Sequence, residues 1–161
     1  AHAPKPTPTM MTVAQAAPKY LEIVCPGNAA AYELTFAFDS TQTARIRSAA
    51  AHAAQVAARE AGALTSANAR WPEAVRSDLT TLELRVYGAY YRRIAATDTI
   101  AEMIALKLPI DTAGGPAAAE ARITLHLPVI DPATSCDSTP LVVRPTPQPS
   151  GRGASVGVDL P

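Results

Sequence analysis

Residues 42–61 place Ile46, Ala49, Ala50, Ala53, Val56 and Ala57 along one helical face, and all but Ile46 are no larger than valine. A face this smooth lets a second helix approach closely, and alanine has the best intrinsic helix propensity of any residue. About one residue in five of the whole chain is alanine, whereas only 5% are aromatic. The core must therefore be built from closely packed helices rather than from large side chains. At 161 residues the chain makes one ordinary domain, able to bury roughly two-thirds of its surface. The expected fold is all-α, a four- to five-helix antiparallel bundle with extended N- and C-terminal tails.

The punctuation of the sequence divides the chain into a Pro/Thr-rich tether at 1–11, a helical bundle over 12–127 and a Pro/Gly/Ser-rich tail over 128–161. Thr12 and Gln15 form a capping-box pair that opens the first helix. Leu21, Val24, Cys25, Asn28, Tyr32 and Thr35 keep helical spacing across Pro26, so 12–38 reads as one kinked helix or two consecutive ones. Asp39-Ser40-Thr41 supplies a turn and an N-cap for a helix over 42–61 that Gly62 ends. Pro72 suits a first helical position, and Val75, Leu79, Leu82, Val86, Tyr90 and Ile94 then trace the seam of one long amphipathic helix. Thr99 and Glu102 cap a short helix that Pro109 stops. A last helix covers 117–122 and ends near Leu125, although the alternation over 123–127 also fits a strand.

Fourteen basic residues balance fourteen acidic ones at an estimated isoelectric point near 7.1. A nucleic-acid partner needs a basic face and a high isoelectric point, so none is expected. No apolar run approaches the roughly 20 residues that span a bilayer. Heavy use of arginine over lysine, together with the alanine, has the composition of a GC-rich bacterial genome. A Pro/Thr stretch such as residues 1–11 is a semi-rigid spacer of the kind that holds an exported domain away from a membrane.

In an exported domain, two cysteines pair most simply as one disulfide, here Cys25 with Cys136. A thiol-enzyme reading of Cys25 rests on its distance from Pro18, which matches the peroxiredoxin pattern. That pattern requires a hydroxyl residue where this chain has Glu22, and a carboxylate there would raise the thiol pKa rather than lower it. Gly153-Ala154-Ser155-Val156-Gly157 has the letters of a nucleophile elbow, but no histidine follows it. His2, His52 and His126 lie far apart, with no zinc-site spacing among them. No catalytic residue, metal site or cofactor is expected. Tyr87, Tyr91 and Arg92, of the residue types enriched in binding hot spots, are the expected partner contacts, with simple helix packing as the alternative.

Three segments together carry a resemblance: Tyr20-Leu21-Glu22-Ile23-Val24-Cys25-Pro26-Gly27-Asn28, Trp71-Pro72-Glu73-Ala74-Val75 and Leu125-His126-Leu127-Pro128. Over roughly residues 12–128 the chain resembles a group of actinobacterial envelope lipoproteins. The resemblance implies an exported helical domain anchored through an N-terminal lipid to the outer face of the cytoplasmic membrane. It implies no activity and no catalytic residues. The function expected is that of a non-catalytic accessory or interaction subunit of a membrane protein complex. A small-ligand-binding helical envelope protein is the alternative, and a thiol enzyme using Cys25 comes third.

Overall fold

The computed structural model describes residue 4, residues 7–82, 84–106 and 114–129, and residue 136. These form α1 (Val13–Asp39), α2 (Thr43–Thr65), a 3-10 turn (Ala67–Ala69), α3 (Glu73–Thr81), α4 (Leu84–Ala95), α5 (Ile100–Ala105) and α6 (Gly114–Thr124). The fold is the expected helical bundle, with no strand among the described residues. The 123–127 segment is accordingly the end of a helix and the turn that follows it. Pro109, most of the 128–161 tail and the 153–157 string lie outside the described residues.

α1 and α2 form an antiparallel hairpin, and α4 packs along α2, so α2 has a neighbour on two sides. Ala16, Tyr20, Val24, Ala30, Leu34 and Ala37 are buried along α1, with half-buried Gly27 in the same stripe. This stripe corrects the expected seam, because Tyr32 and Thr35 face outward. Both prolines stay inside α1. A proline removes one N–H and pushes aside the carbonyl four residues back, but helix packing on either side can hold the helix together through the kink. The capping box is complete: the Thr12 hydroxyl accepts from Gln15 N at 3.3 Å, and Thr12 N donates to Gln15 Oε1 at 3.0 Å.

Three expected boundaries move. α2 runs past Gly62 to Thr65, because buried Leu64 packs with Trp71 and the Trp71 Nε1 donates to the Leu64 carbonyl at 3.0 Å. The N-cap of α2 is Gln42 without a side-chain cap, and the reversal before it is made by Thr41 in a left-handed conformation, φ 53°. The long seam over 75–94 is two helices, α3 and α4, divided at Leu82, whose ψ of 119° is not helical. Splitting the seam lets α3 pair with α6 while α4 pairs with α2, and it leaves Val86 exposed. At its C-terminus α6 closes with His126 at φ 57°, His126 N donating to Ile123 O and Leu127 N to Arg122 O. This is the Schellman arrangement.

The large side chains gather at two ends. Tyr20, Val24, Leu64, Trp71, Val75, Leu79 and Leu125 form one cluster, and Leu34, Ile46, Ile94 and Met103 form the other. Between them lies a waist made of Ala30, Ala53 and Val56, with Tyr91 packed against it.

Candidate functional site: a buried carboxylate at the waist

The waist holds the feature the sequence reading passed over. Glu60, on α2, is only 6% exposed. It lies where the inner stripe of α1 has glycine: a Cβ on Gly27 would overlap the Glu60 carboxylate. The Gly27 backbone N–H donates to that carboxylate. Pro26, the residue before Gly27, lies inside α1 and has no backbone N–H of its own. Burial pushes the Glu60 carboxyl up to about 7, and the Gly27 bond opposes that rise only in part. Gly27→Ala should therefore lower stability by about 1–3 kcal/mol through overpacking. The loss should shrink in a Glu60→Ala background, which a double-mutant cycle of urea unfolding would show.

Two clefts flank this carboxylate. One, of about 160 Å³, is lined by Gly27, Asn28, Glu60, Leu84, Tyr87 and Tyr91 among others. The second, of about 230 Å³, is lined by Glu22, Pro26, Arg59 and Glu60 among others. Neither reaches the roughly 300 Å³ of a drug-sized ligand site. Burial raises the Tyr91 hydroxyl above its ordinary value, and the negative charge of Glu60 adds to the effect. Tyr91 also meets Tyr90, ring centroids 5.9 Å apart.

Cys25 and Cys136 are joined, Cα to Cα 5.5 Å, across 111 residues of sequence. The bond lies beside the smaller cleft, where Asn28 Nδ2 approaches Cys136 Sγ at 3.6 Å. With the sulfur in a disulfide, no thiolate is available at Cys25 for the peroxidase pattern.

The three expected partner contacts do not share one surface. Tyr87 and Tyr91 turn toward Glu60, whereas Arg92 borders an open depression of about 560 Å³ between α2 and α4, lined by Ala51, Ala54, Gln55 and Ala58. His52 is exposed and pairs with Glu33 Oε2 at 3.1 Å. Among the described residues no group of three or more His, Cys, Asp or Glu could hold a metal. In the first cluster, Arg122 is buried, lies 5.8 Å from the Tyr20 ring centroid and donates to the Pro128 carbonyl at 3.2 Å.

Glu60 follows Val56 by four residues and Ala57 by three, so it continues the inner stripe of α2. That spacing is the signal that could have found it. No family model matches the chain, and comparisons with curated proteins and with solved structures return no significant similarity.

Proposed function

We propose that the protein is a non-catalytic accessory subunit that docks on a membrane protein complex at the extracytoplasmic face of a bacterial membrane. The observation that carries this reading is the placement of Tyr32 and Phe36. They sit one turn apart on α1, 46% and 62% exposed, in a chain that builds its waist from alanine. Large aromatic side chains one helical turn apart form the kind of anchor that dominates protein interfaces. Glu33 Oε2 and His52 Nδ1, 3.1 Å apart, lie beside them and supply a polar border.

The disulfide supports the compartment in this reading. Disulfides persist in oxidising environments and are rare in the bacterial cytosol, so the Cys25–Cys136 bond is compatible with an extracytoplasmic location. No helix among the described residues is long and apolar enough to cross a membrane. The attachment in this proposal is an N-terminal lipid ahead of the Pro/Thr spacer, which is what the resemblance to actinobacterial envelope lipoproteins implies.

The test is purification of the tagged full-length protein from its own membranes in mild detergent. The wild type should co-purify stoichiometrically with one membrane complex. The Tyr32→Ser/Phe36→Ser variant should lose at least about tenfold of that recovery, since truncated interface anchors cost 2 kcal/mol or more, while unfolding at an unchanged temperature. Recovery of the wild type alone, as a monodisperse domain, overturns the reading.

A further inference from the structure

Glu60 occupies a helix-interface position for which alanine suffices elsewhere, as Ala49, Ala50, Ala53 and Ala57 show on the same face of α2. Burying a carboxylate there is unfavourable unless something compensates it. A carboxylate accepts about four hydrogen bonds, and the backbone N–H of Gly27 is a single donor. None of the ion pairs of the described residues involves Glu60. The residue nonetheless borders a cleft whose other lining residues include Tyr87, Tyr91 and Asn28.

We infer that this cleft is a binding site for a small organic cation free in solution, an alkylammonium of about the size of choline. The Glu60 carboxylate supplies the opposing charge, and the rings of Tyr87 and Tyr91 supply apolar, electron-rich walls. Carboxylates and aromatic rings together are the chemistry that selects alkylammonium groups, because the ring quadrupole attracts a cation most strongly where water is excluded. The cleft volume of about 160 Å³ corresponds to roughly five water-sized volumes. That accommodates a compact head group and excludes a drug-sized molecule. An anionic ligand would meet Glu60, and a neutral one would leave the carboxylate uncompensated.

The charged and titratable groups around Glu60 agree with this assignment. From α1 it is approached by Tyr20 and Glu22, from α4 by Tyr87 and Tyr91, and on α2 itself by Arg59. Arg59 and Glu22 border the second cleft rather than the tyrosine-lined one. Arg122, the buried cation of the neighbouring cluster, lies over Tyr20. A cation entering the tyrosine cleft therefore meets Glu60 without passing an arginine that lines it. Since burial holds the Glu60 carboxyl up to about 7, cation binding expels the proton and strengthens as pH rises. This site is independent of the docking role, which uses the outer face of α1.

The experiment titrates the full-length protein with choline chloride by calorimetry, using the neutral isostere 3,3-dimethyl-1-butanol and potassium chloride as controls. Saturable choline binding is expected at pH 8.5 with a dissociation constant on the order of 1 mM, weakening at least about tenfold at pH 5.5 as Glu60 takes up its proton. The isostere and potassium should not bind. Glu60→Gln should weaken choline binding at least about tenfold, as expected for loss of a desolvated charge partner, while remaining helical and cooperatively folded. Equal binding of the isostere, undiminished binding by Glu60→Gln, or no saturable binding at all overturns the inference.

Discussion

Removing the Cys25–Cys136 bond lowers the free energy of unfolding by roughly 5 kcal/mol in the chain-entropy account, because the cross-link closes a loop of 111 residues. Total stabilities of single domains run from about 5 to 15 kcal/mol, so the reduced protein should be marginal. Urea unfolding of a Cys25→Ser/Cys136→Ser variant beside the wild type is the measurement. The midpoint should fall sharply, and the denaturant slope should steepen, because an uncrossed unfolded chain exposes more surface. A loss below about 1 kcal/mol would overturn the chain-entropy account for this bond. The bond also ties Cys136 to the turn that carries Pro26, Gly27 and Asn28, so its removal should loosen the edge of the tyrosine-lined cleft.

Glu60 should set the pH dependence of stability. Its carboxyl titrates near 7 in the folded protein against 4.5 as its ordinary value. The folded state therefore binds the proton more tightly than the unfolded one. Stability from this group is fully present below 4.5 and is lost as pH rises through about 7, levelling off beyond it. At 1.36 kcal/mol per pH unit, the fall across that window is on the order of 3 kcal/mol. Glu60→Gln should abolish most of the slope and leave the variant more stable than the wild type at pH 8. Thermal unfolding of both proteins from pH 4 to 9 decides it. Parallel curves would mean that Glu60 does not remain buried as a carboxylate.

Much of the fold was legible from local chemistry. The capping box at Thr12 forms as written, because it satisfies backbone donors within three residues and needs no tertiary help. At Thr99 half of it forms: Glu102 N donates to the Thr99 hydroxyl, while the Glu102 carboxylate accepts from that hydroxyl rather than from the Thr99 backbone N–H. The Cys25–Cys136 pairing was legible because two cysteines leave one choice. The errors lie where tertiary packing overrules a local signal. Gly62 has the residue type of a helix stop, yet the Trp71 indole holds the final turn of α2 from 7 residues beyond Leu64. The seam over 75–94 has unbroken helical spacing, yet α3 and α4 have different partners, and no periodicity records which neighbour each half will choose. The Tyr32 error comes from phase: steps of three and four through Gly27 fit the α1 stripe better than steps through Cys25 and Asn28, but glycine contributes nothing to an apolar count.

The candidate site was only half visible. Tyr87 and Tyr91 stood out by residue type, whereas Glu60 was hidden by the habit of assigning acidic residues to the solvent. Its partner is a backbone N–H, which has no letter of its own.

The division of the core into two bulky ends and an alanine waist makes the bundle's tolerance to change uneven along its axis. At either end, trimming a leucine or tryptophan leaves a void that its own cluster must absorb, and the far cluster is unaffected. At the waist there is almost nothing to trim. An added methyl group that points at the facing helix rather than into a cleft must wedge α1 and α2 apart. Sequence drift in such a molecule is free to exchange one large side chain for another at the ends, whereas the spacing between its two longest helices is fixed by residues that cannot grow.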